Sequence, residues 1–591
     1  MKFLVYMEGD RIMQELISKA TQNNWDKLKT NTKNRLASRA NKRLSTKKII
    51  PIEYMDNKEN VAKITELLEL FKKNKWKNED IIYSLAINLI KNNKIEKQKN
   101  INNFLKEYSI YNAIDELINY DIISMKEHDV LGLIYQCLML EGEKNQKGSY
   151  YTPKAVTQNM TKDIVLANNQ TFLDPCCGSG AYLLSVKTNN PEQIYGVDTD
   201  KIAVLIAKVN LMIKYKGIEF TPNIYHDNFL KTGNIFEHRN KNLERKFTYI
   251  VTNPPWGGMT EKNDIPVEIL SGEIFSCFIV RAFESLEENG KMRFLLPISI
   301  LNVKTHKDVR EYILNNGNLS KITLYNDSFT GVTTKYVDLE IENKKATENV
   351  IIDDCENAHI ENKENFKLTN NKVFTVINSQ NKEVIKKIQS NGKYYLNNSI
   401  WALGIVTGDN KNKLFDEPMK GYEAVYTGKE IKAYSLKEPN KYLKYDRNSF
   451  QQVAKDEYYR APEKLVYKFI SNKLVFAYDD KKSLFLNSAN ILIPDIPNMS
   501  IKTTMAYLNS DLFSYYYKNL FGEIKILKGN LMEIPFPKIS EEENQKITNL
   551  VNEIMQNGNN EEELQNEIYK TYNLNDSDIE CIKGEMKKWT C

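Results

Sequence analysis

An α/β fold with a largely parallel sheet is the architecture predicted for the middle of this chain, on three observations. Between Thr171 and Ile341, short apolar runs alternate with stretches of helical periodicity. That order builds parallel strands with helices on both faces. A Gly-containing turn, Asp174–Gly180, follows the first of these runs directly. The motifs richest in chemistry all fall where predicted strands end, the side of an open α/β sheet on which ligands bind.

The elements follow in chain order. Met1–Lys147 reads as helical: Val61–Asn74 places Ile64, Leu67, Leu68 and Phe71 on one face, and Ile81–Leu89 and Leu105–Leu117 continue the pattern. Met1–Ile50 has a strong basic excess, which reads first as a solvated helical face. Thr171–Leu173 leads into the glycine turn, and Ala181–Lys187 is helix-like. Gln193–Val197 is a strand, Ile202–Tyr215 a helix, and Phe247–Thr252 a strand that ends in Asn-Pro-Pro. Phe275–Leu286 is helical, Met292–Pro297 a strand and Lys304–Leu314 helical. Ile322–Tyr325 and Tyr336–Ile341 close the set as strands. Glu342–Asn371 is polar and reads as a connection. Val373–Ile539 is rich in Tyr, Lys and β-branched residues with frequent turn signals, so it reads as mixed β/α. Ser540–Cys591 is acidic, with Ile547, Leu550, Val551 and Ile554 at helical spacing.

At 591 residues the chain has room for about three or four domains. Lys+Arg is 82 and Asp+Glu 77, a net +5 that argues against a generally basic nucleic-acid coat and leaves local patches open. An apolar content of 41% with 10% aromatics excludes wholesale disorder. The seven Cys and five His show no C-x-x-C or H-x-x-x-H spacing, so no metal site is expected. Few cysteines without framework spacing fit a reducing cytoplasm. Glu8 and Asp10 interrupt what would be the apolar core of a signal peptide, and no apolar run reaches membrane-spanning length. The expectation is an intracellular multidomain protein with no membrane partner.

Three motifs carry chemistry. Asp174-Pro175-Cys176-Cys177-Gly178-Ser179-Gly180 follows a strand, and its glycines let backbone approach a ligand and open a helix whose N-terminus attracts anions. Alone, such a turn is often only geometry. Gly196-Val197-Asp198-Thr199-Asp200 ends the next strand, and an acid about 20 residues past a glycine turn suits ribose hydroxyls. An Asp pair there is as often a helix cap. Asn253-Pro254-Pro255-Trp256 is the most specific. Tandem prolines remove two donors and fix two φ angles, leaving acceptors beside an aromatic face, a setting for an amino group on a flat ring.

Together these motifs resemble those of adenine-N6 DNA methyltransferases of restriction–modification systems, in the class whose cofactor motifs precede the target-recognition region. Asp174–Gly180 resembles D-P-x-C-G-S-G, Asn253–Trp256 resembles N-P-P-[YFW], and Gly148–Pro153 resembles the stretch that closes over the methionine end of the cofactor. The resemblance covers roughly Gly148–Lys538. It implies a Rossmann-like methyltransferase sheet with a helical N-terminal region and a mixed α/β C-terminal target-recognition domain. The implied division is 1–147 helical, 148–345 catalytic, 373–539 target recognition and 540–591 an acidic helical tail.

Carried over by position, the resemblance implies S-adenosylmethionine as cofactor. Thr152 and the loop with Asp174, Pro175, Cys176, Gly178 and Gly180 would hold its methionine part. Asp198 would take the ribose; Asp227 and Phe229 would take its adenine. Asn253 and Pro254, with Pro255 fixing the turn, would accept from the target amino group. Trp256 would stack on the flipped base, and Phe329 would be a second aromatic wall. Cys176 stands where Ala is commoner, and Asn228 separates Asp227 from Phe229.

The stretch 393–482 is basic and Tyr-rich. Its phrases Gly404–Lys411, Gly428–Lys432 and Pro462–Tyr467, with Leu508–Ser510 and Ile534–Pro537 beyond, resemble the specificity domain of such enzymes. Thr407, Lys411 and Lys429 are its candidate DNA contacts, with a turn-stabilising role for Thr407 as the equal alternative. The implied activity is methylation of adenine N6 in double-stranded DNA, with a separate restriction endonuclease as candidate partner. Three alternatives remain open: action on RNA or a protein glutamine, a non-catalytic subunit, and a fused enzyme that also cuts. The last would use an element such as Asp56-Asn57-Lys58, Glu342-Asn343-Lys344 or Glu585-Met586-Lys587. Cys176 and Cys177 as nucleophiles are the least favoured reading, because they sit in the cofactor turn.

Overall fold

Apolar β-branched runs form the centre of a nine-stranded sheet in the computed structural model, which describes residues 50–140, 152–231, 245–325, 335–369, 372–374, 379–522 and 525–590. The basic start, Gly148–Tyr151 and Phe329 lie outside the described residues. The strands are β1 (Phe172–Asp174), β2 (Ile194–Asp198), β3 (Asn223–His226), β4 (Phe247–Thr252), β5 (Leu286–Pro297), β6 (Asn318–Leu324), β7 (Tyr336–Glu342), β8 (Asn349–Asp353) and β9 (Ala358–Asn362). Their order is β3-β2-β1-β4-β5-β7-β6-β8-β9. Strands β3, β2, β1, β4 and β5 run parallel. β7 lies antiparallel between β5 and β6, β8 is parallel to β6, and β9 is reversed. The carboxyl ends of β1, β2 and β4 therefore come together, and each carries one motif.

Several predicted elements match closely, including the helix Val61–Asn74 and the strand Phe247–Thr252. Three differ. The predicted helix Leu105–Leu117 is two pieces, Lys99–Glu107 and Asp115–Ile118. The intervening loop is captured by the helix Asn78–Asn92: Asp80 Oδ1 accepts from Asn112 N at 2.9 Å, and Ser84 Oγ accepts from Ile114 N at 2.8 Å. The polar stretch read as a connection contains the hairpin β8–β9, which pairs onto β6 through polar-rich strands. β3 is four residues long with one buried position, too short to show a period.

The chain divides into two compact units, Met1–Lys363 and Glu364–Cys591. In the first, the helices before the sheet share one core with it. Ile64, Leu67, Leu85 and Leu131 belong to the same buried cluster as Phe172, Ile206 and Leu295. Such sharing follows from the apolar stripe on each helix, which must be covered.

In the second unit, strands at Ile400–Leu403, Ala489–Ile493, Lys464–Lys468 and Phe476–Asp479 form an antiparallel sheet. Leu465 and Phe476 share a core with the helices Ile501–Asn509 and Asp511–Phe521 and with the tail helix Glu541–Asn557. Ile547, Leu550, Val551 and Ile554 are its buried face, as their spacing predicts, and Ser540 starts that helix with a reciprocal capping box to Glu543. No described helix is long and apolar enough to cross a membrane.

Candidate active site

Asp174 ends β1 and is 1% exposed. Its Oδ1 accepts from the Thr252 hydroxyl at 2.6 Å and from Cys176 N at 3.2 Å. Burial pushes its carboxyl up to about 7, against the pull of those two donors. The turn then needs left-handed backbone at Gly178 (φ 52°) and Gly180 (φ 94°), which glycine adopts without strain. Gly180 precedes the short helix Ala181–Ser185. Cys176 Sγ lies 2.9 Å from Thr252 Oγ1 and 3.5 Å from the Asn253 carbonyl oxygen, so it ties the turn to the next motif. Burial raises the Cys176 and Cys177 thiols well above their ordinary value, which keeps them protonated and unreactive.

The two acids after β2 divide their roles. Asp200 caps the helix Lys201–Lys214, accepting from Ile202 N at 2.9 Å, and its other oxygen accepts from the Tyr135 hydroxyl at 2.8 Å. Asp198 instead faces the glycine turn. Its Oδ2 accepts from Gly178 N and its Oδ1 from Asp200 N, both at 2.8 Å. Burial raises its carboxyl to about 6, opposed by those N–H groups. Asp227 follows β3, its N–H bonded to the Asp198 carbonyl at 3.0 Å. Phe229 is 8% exposed and stacks on Phe278 at 5.8 Å with 17° between planes.

Asn253 leaves β4 with its amide held on one side only. Nδ2 donates to Thr152 Oγ1 at 3.1 Å, while Oδ1 is buried without a hydrogen-bond partner. A buried acceptor left unmade costs roughly 1–3 kcal/mol, so its persistence beside two prolines points to a ligand that completes it. Trp256 Nε1 donates to the Leu295 carbonyl at 3.2 Å, and its ring sits 6.5 Å from Tyr336, which stacks on Tyr325 at 4.9 Å. The site thus joins Thr152, Asp174, Cys176, Asp198 and Asn253. Asp227 reaches it through its bond to Asp198.

One supporting network was not visible in the sequence. Asp129 caps the helix Val130–Leu138, accepting from Gly132 N at 2.8 Å. Its two oxygens also take the Tyr54 hydroxyl at 2.5 Å and Asn210 Nδ2 at 2.8 Å, and Asn210 Nδ2 lies 3.0 Å from the Ser179 carbonyl. The helical region therefore braces the Asp174–Gly180 turn through the Ser179 carbonyl. Asp129 sits 50 residues from Ser179, and no motif flags it.

The elements that could have marked a nuclease are otherwise engaged. Asp56 lies between two short 3₁₀ turns rather than on a strand, and it pairs with Lys154 at 2.9 Å and His128 at 2.8 Å. Glu342 takes Lys344 at 2.7 Å, Lys291 at 3.1 Å and Asn318 Nδ2 at 2.7 Å. Glu585 and Lys587 lie inside the helix Asp576–Thr590. Among the described residues no group of three or more acids, His or Cys could hold a metal ion.

In the second unit, Thr407 is 2% exposed, its hydroxyl bonded to the Asn410 side chain and accepting from Asp409 N at 3.2 Å. The turn role is the one its placement supports, since a hydroxyl so covered has no surface for DNA. Lys411 lies on the short helix Asn410–Lys413, and Lys429 is exposed on a turn, its N–H donated to Thr427 Oγ1 at 3.2 Å.

A Rossmann-like sheet with these motifs at its strand ends defines an amino-group methyltransferase. The N-6 DNA methylase family model matches residues 126–398, and the TaqI-like C-terminal specificity domain matches 423–536. The type II methyltransferase M.VspI of Vibrio sp. (strain 343) is 30% identical over 348 residues, 56% of this chain and 82% of that protein. The type I restriction enzyme EcoEI methylase subunit of Escherichia coli is 30% identical over 261 residues, 39% of this chain and 51% of that protein. Among solved structures, the type IIL restriction–modification enzyme MmeI in complex with DNA shares the fold with a TM-score of 0.54 at 13% identity, covering 78% of this chain and 82% of that one. The chain belongs to the N-6 DNA methylase family and is an adenine-specific DNA methyltransferase.

Proposed function

We propose that this chain transfers a methyl group from S-adenosylmethionine to N6 of an adenine flipped out of double-stranded DNA, as the modification enzyme of a restriction–modification system. The observation that carries this reading is the Asn253 amide, with its buried oxygen unpaired beside Pro-Pro-Trp at the end of β4. Adenine's amino nitrogen is a weak nucleophile because its lone pair is delocalised into the ring. Asn253 Oδ1 and the Pro254 carbonyl accept its two N–H bonds and localise that pair. Trp256 stacks on the ring, and Pro255 keeps the turn rigid. Positioning and preorganised acceptors then supply most of the rate.

The donor set fits the cofactor. Asp198, with a carboxylate oriented by two backbone N–H groups, suits a sugar diol, and Asp227 at the end of β3 suits an adenine amino group. The Asp174–Gly180 turn and Thr152 suit the methionine end. When bound, the cofactor supplies an electrophilic sulfonium methyl. Asp198 and Asp227 fix the nucleoside, while Asp174, Thr252 and Cys176 hold the turn in register with Asn253.

The specificity match at 423–536 supports a DNA-reading role for the region proposed at 373–539, with Lys411 and Lys429 as phosphate contacts. The further division at 1–147, 148–345 and 540–591, a cytoplasmic setting and a separate endonuclease partner belong to the same proposal. Flipping the base costs roughly a few kcal/mol, which phosphate contacts offset.

Incubation with tritiated cofactor and DNA, RNA or protein tests the reading. Label in DNA at adenine N6 is the expected result; label confined to RNA or protein rejects it.

A further inference from the structure

The helix Val130–Leu138 and its cap reach two strand ends of the sheet, although neither belongs to a motif of the site. The cap, Asp129, is 1% exposed and meets the turn after β1 through Asn210. Asn210 Nδ2 carries two hydrogens. One goes to Asp129 Oδ1 at 2.8 Å and the other to the Ser179 carbonyl at 3.0 Å. A carbonyl oxygen only accepts, so this amide can lie just one way round. The same peptide is held at its other end, where Gly180 N donates to the Cys177 carbonyl at 2.8 Å. Tyr54 donates to Asp129 Oδ2 at 2.5 Å, and its oxygen lies 3.3 Å from Ser179 Oγ. Helix and turn are in close contact at Gly132, where a Cβ would run into Asp129 Oδ2 and lie 2.7 Å from Ser179 Oγ. Further along the helix, the Tyr135 hydroxyl donates to Asp200 Oδ2 at 2.8 Å, and Asp200 N donates to Asp198 Oδ1 at 2.8 Å. One helix thus touches both the glycine turn after β1 and the acid pair after β2.

We propose that this helix is part of the cofactor site, with Asp129, Asn210 and Tyr135 as positioning residues that hold the Ser179–Gly180 peptide and Asp198 in the geometry S-adenosylmethionine needs. The inference rests on the reading of the Asp174–Gly180 turn and Asp198 as the groups that hold the cofactor. It gives the helical region a task of its own. Loops ordered in advance need no ordering when the cofactor binds, and that preorganisation appears as affinity. None of these bonds reaches Asn253, so the effect belongs to binding rather than to transfer.

The test reads cofactor affinity by calorimetry well below Tm, and kcat at saturating cofactor. Asp129→Ala removes the acceptor of Tyr54, Gly132 and Asn210. Affinity should fall about 10–100-fold, the scale of buried groups left without a partner. Asp129→Asn keeps one oxygen for Gly132 N and Asn210 and offers an NH₂ that the Tyr54 oxygen can accept. Affinity should then stay within about threefold of wild type, because each bond is remade. Tyr135→Phe removes a single hydroxyl, and affinity should fall about threefold to tenfold, the size of one hydrogen bond. It decides the matter if Asp129→Ala does not fold. In both weakened variants kcat should move far less than affinity. A role in stability alone would lower Tm and leave the affinity of the folded protein unchanged, and that result overturns the inference. So does an Asp129→Asn variant as weak as Asp129→Ala, or a loss confined to kcat. Wild-type protein that binds no S-adenosylmethionine instead removes the reading of the cofactor groups on which the inference rests, so the two failures are told apart.

Discussion

Two buried polar clusters, one in each unit, are built in opposite ways. In Glu364–Cys591, Lys464 and Asp479 are 0% and 2% exposed and paired with each other. The ammonium also donates to the Tyr459 carbonyl at 2.7 Å, and Asp479 Oδ1 accepts from the Ser483 hydroxyl at 2.7 Å. That cluster is closed. In Met1–Lys363, the Asn253 amide oxygen is buried without a hydrogen-bond partner, and burial raises the Asp174 and Asp198 carboxyls to about 7 and about 6. Closed polarity holds a scaffold together, whereas open polarity at strand ends is binding capacity kept for a ligand.

That contrast can be broken at four points, in order of expected effect. Asn253→Ala should lower methyl transfer by about 10³-fold or more, the scale of losing a preorganised group, while cofactor affinity and thermal stability stay near wild type. Equal loss of both would make Asn253 structural. Lys464→Met should show the reverse, with stability reduced by about 3–5 kcal/mol because Asp479 is left buried and uncompensated. Residual activity per folded molecule, measured below the new Tm, should be unchanged.

The third point is pH. The Asp174 carboxyl titrates at about 7 in the fold against an ordinary 3.8. Its protonated form is thus favoured by folding. The resulting stability is fully present below 3.8 and is lost as pH rises through about 7. Asp174→Asn should therefore flatten the fall in Tm across that window; an unchanged slope rejects the assignment. The smallest effect is at the surface. Lys429→Ala should reduce the slope of log affinity for DNA against log salt by about 0.9, the value of one phosphate contact. No change would remove Lys429 from the DNA surface.

Much of the sheet was legible in the sequence because its central strands are largely buried and read as apolar and β-branched runs, as Phe247–Thr252 does. The hairpin β8–β9 was not, because Asn349, Glu361 and Asn362 give it a polar composition and its pairing to β6 is a tertiary fact. The helix predicted at Leu105–Leu117 failed for a similar reason, since Asp80 and Ser84 on another helix hold the backbone out of helical shape. In the site, the motif residues Asp174, Asp198 and Asn253 could be named from their neighbours. Thr252, Asp129 and Asn210 could not, because their partners lie 75 to 81 residues away and only folding brings them together.

The shared core of the first unit also bears on inheritance. Ile64 and Leu131 lie in one buried cluster with Phe172 and Leu295, so a recombination event near codon 148 would divide a single core between two parents. One near codons 363 and 364 would leave both cores whole. If the second unit reads DNA as proposed, exchange at the second position would alter site preference and leave the core around Asn253 whole.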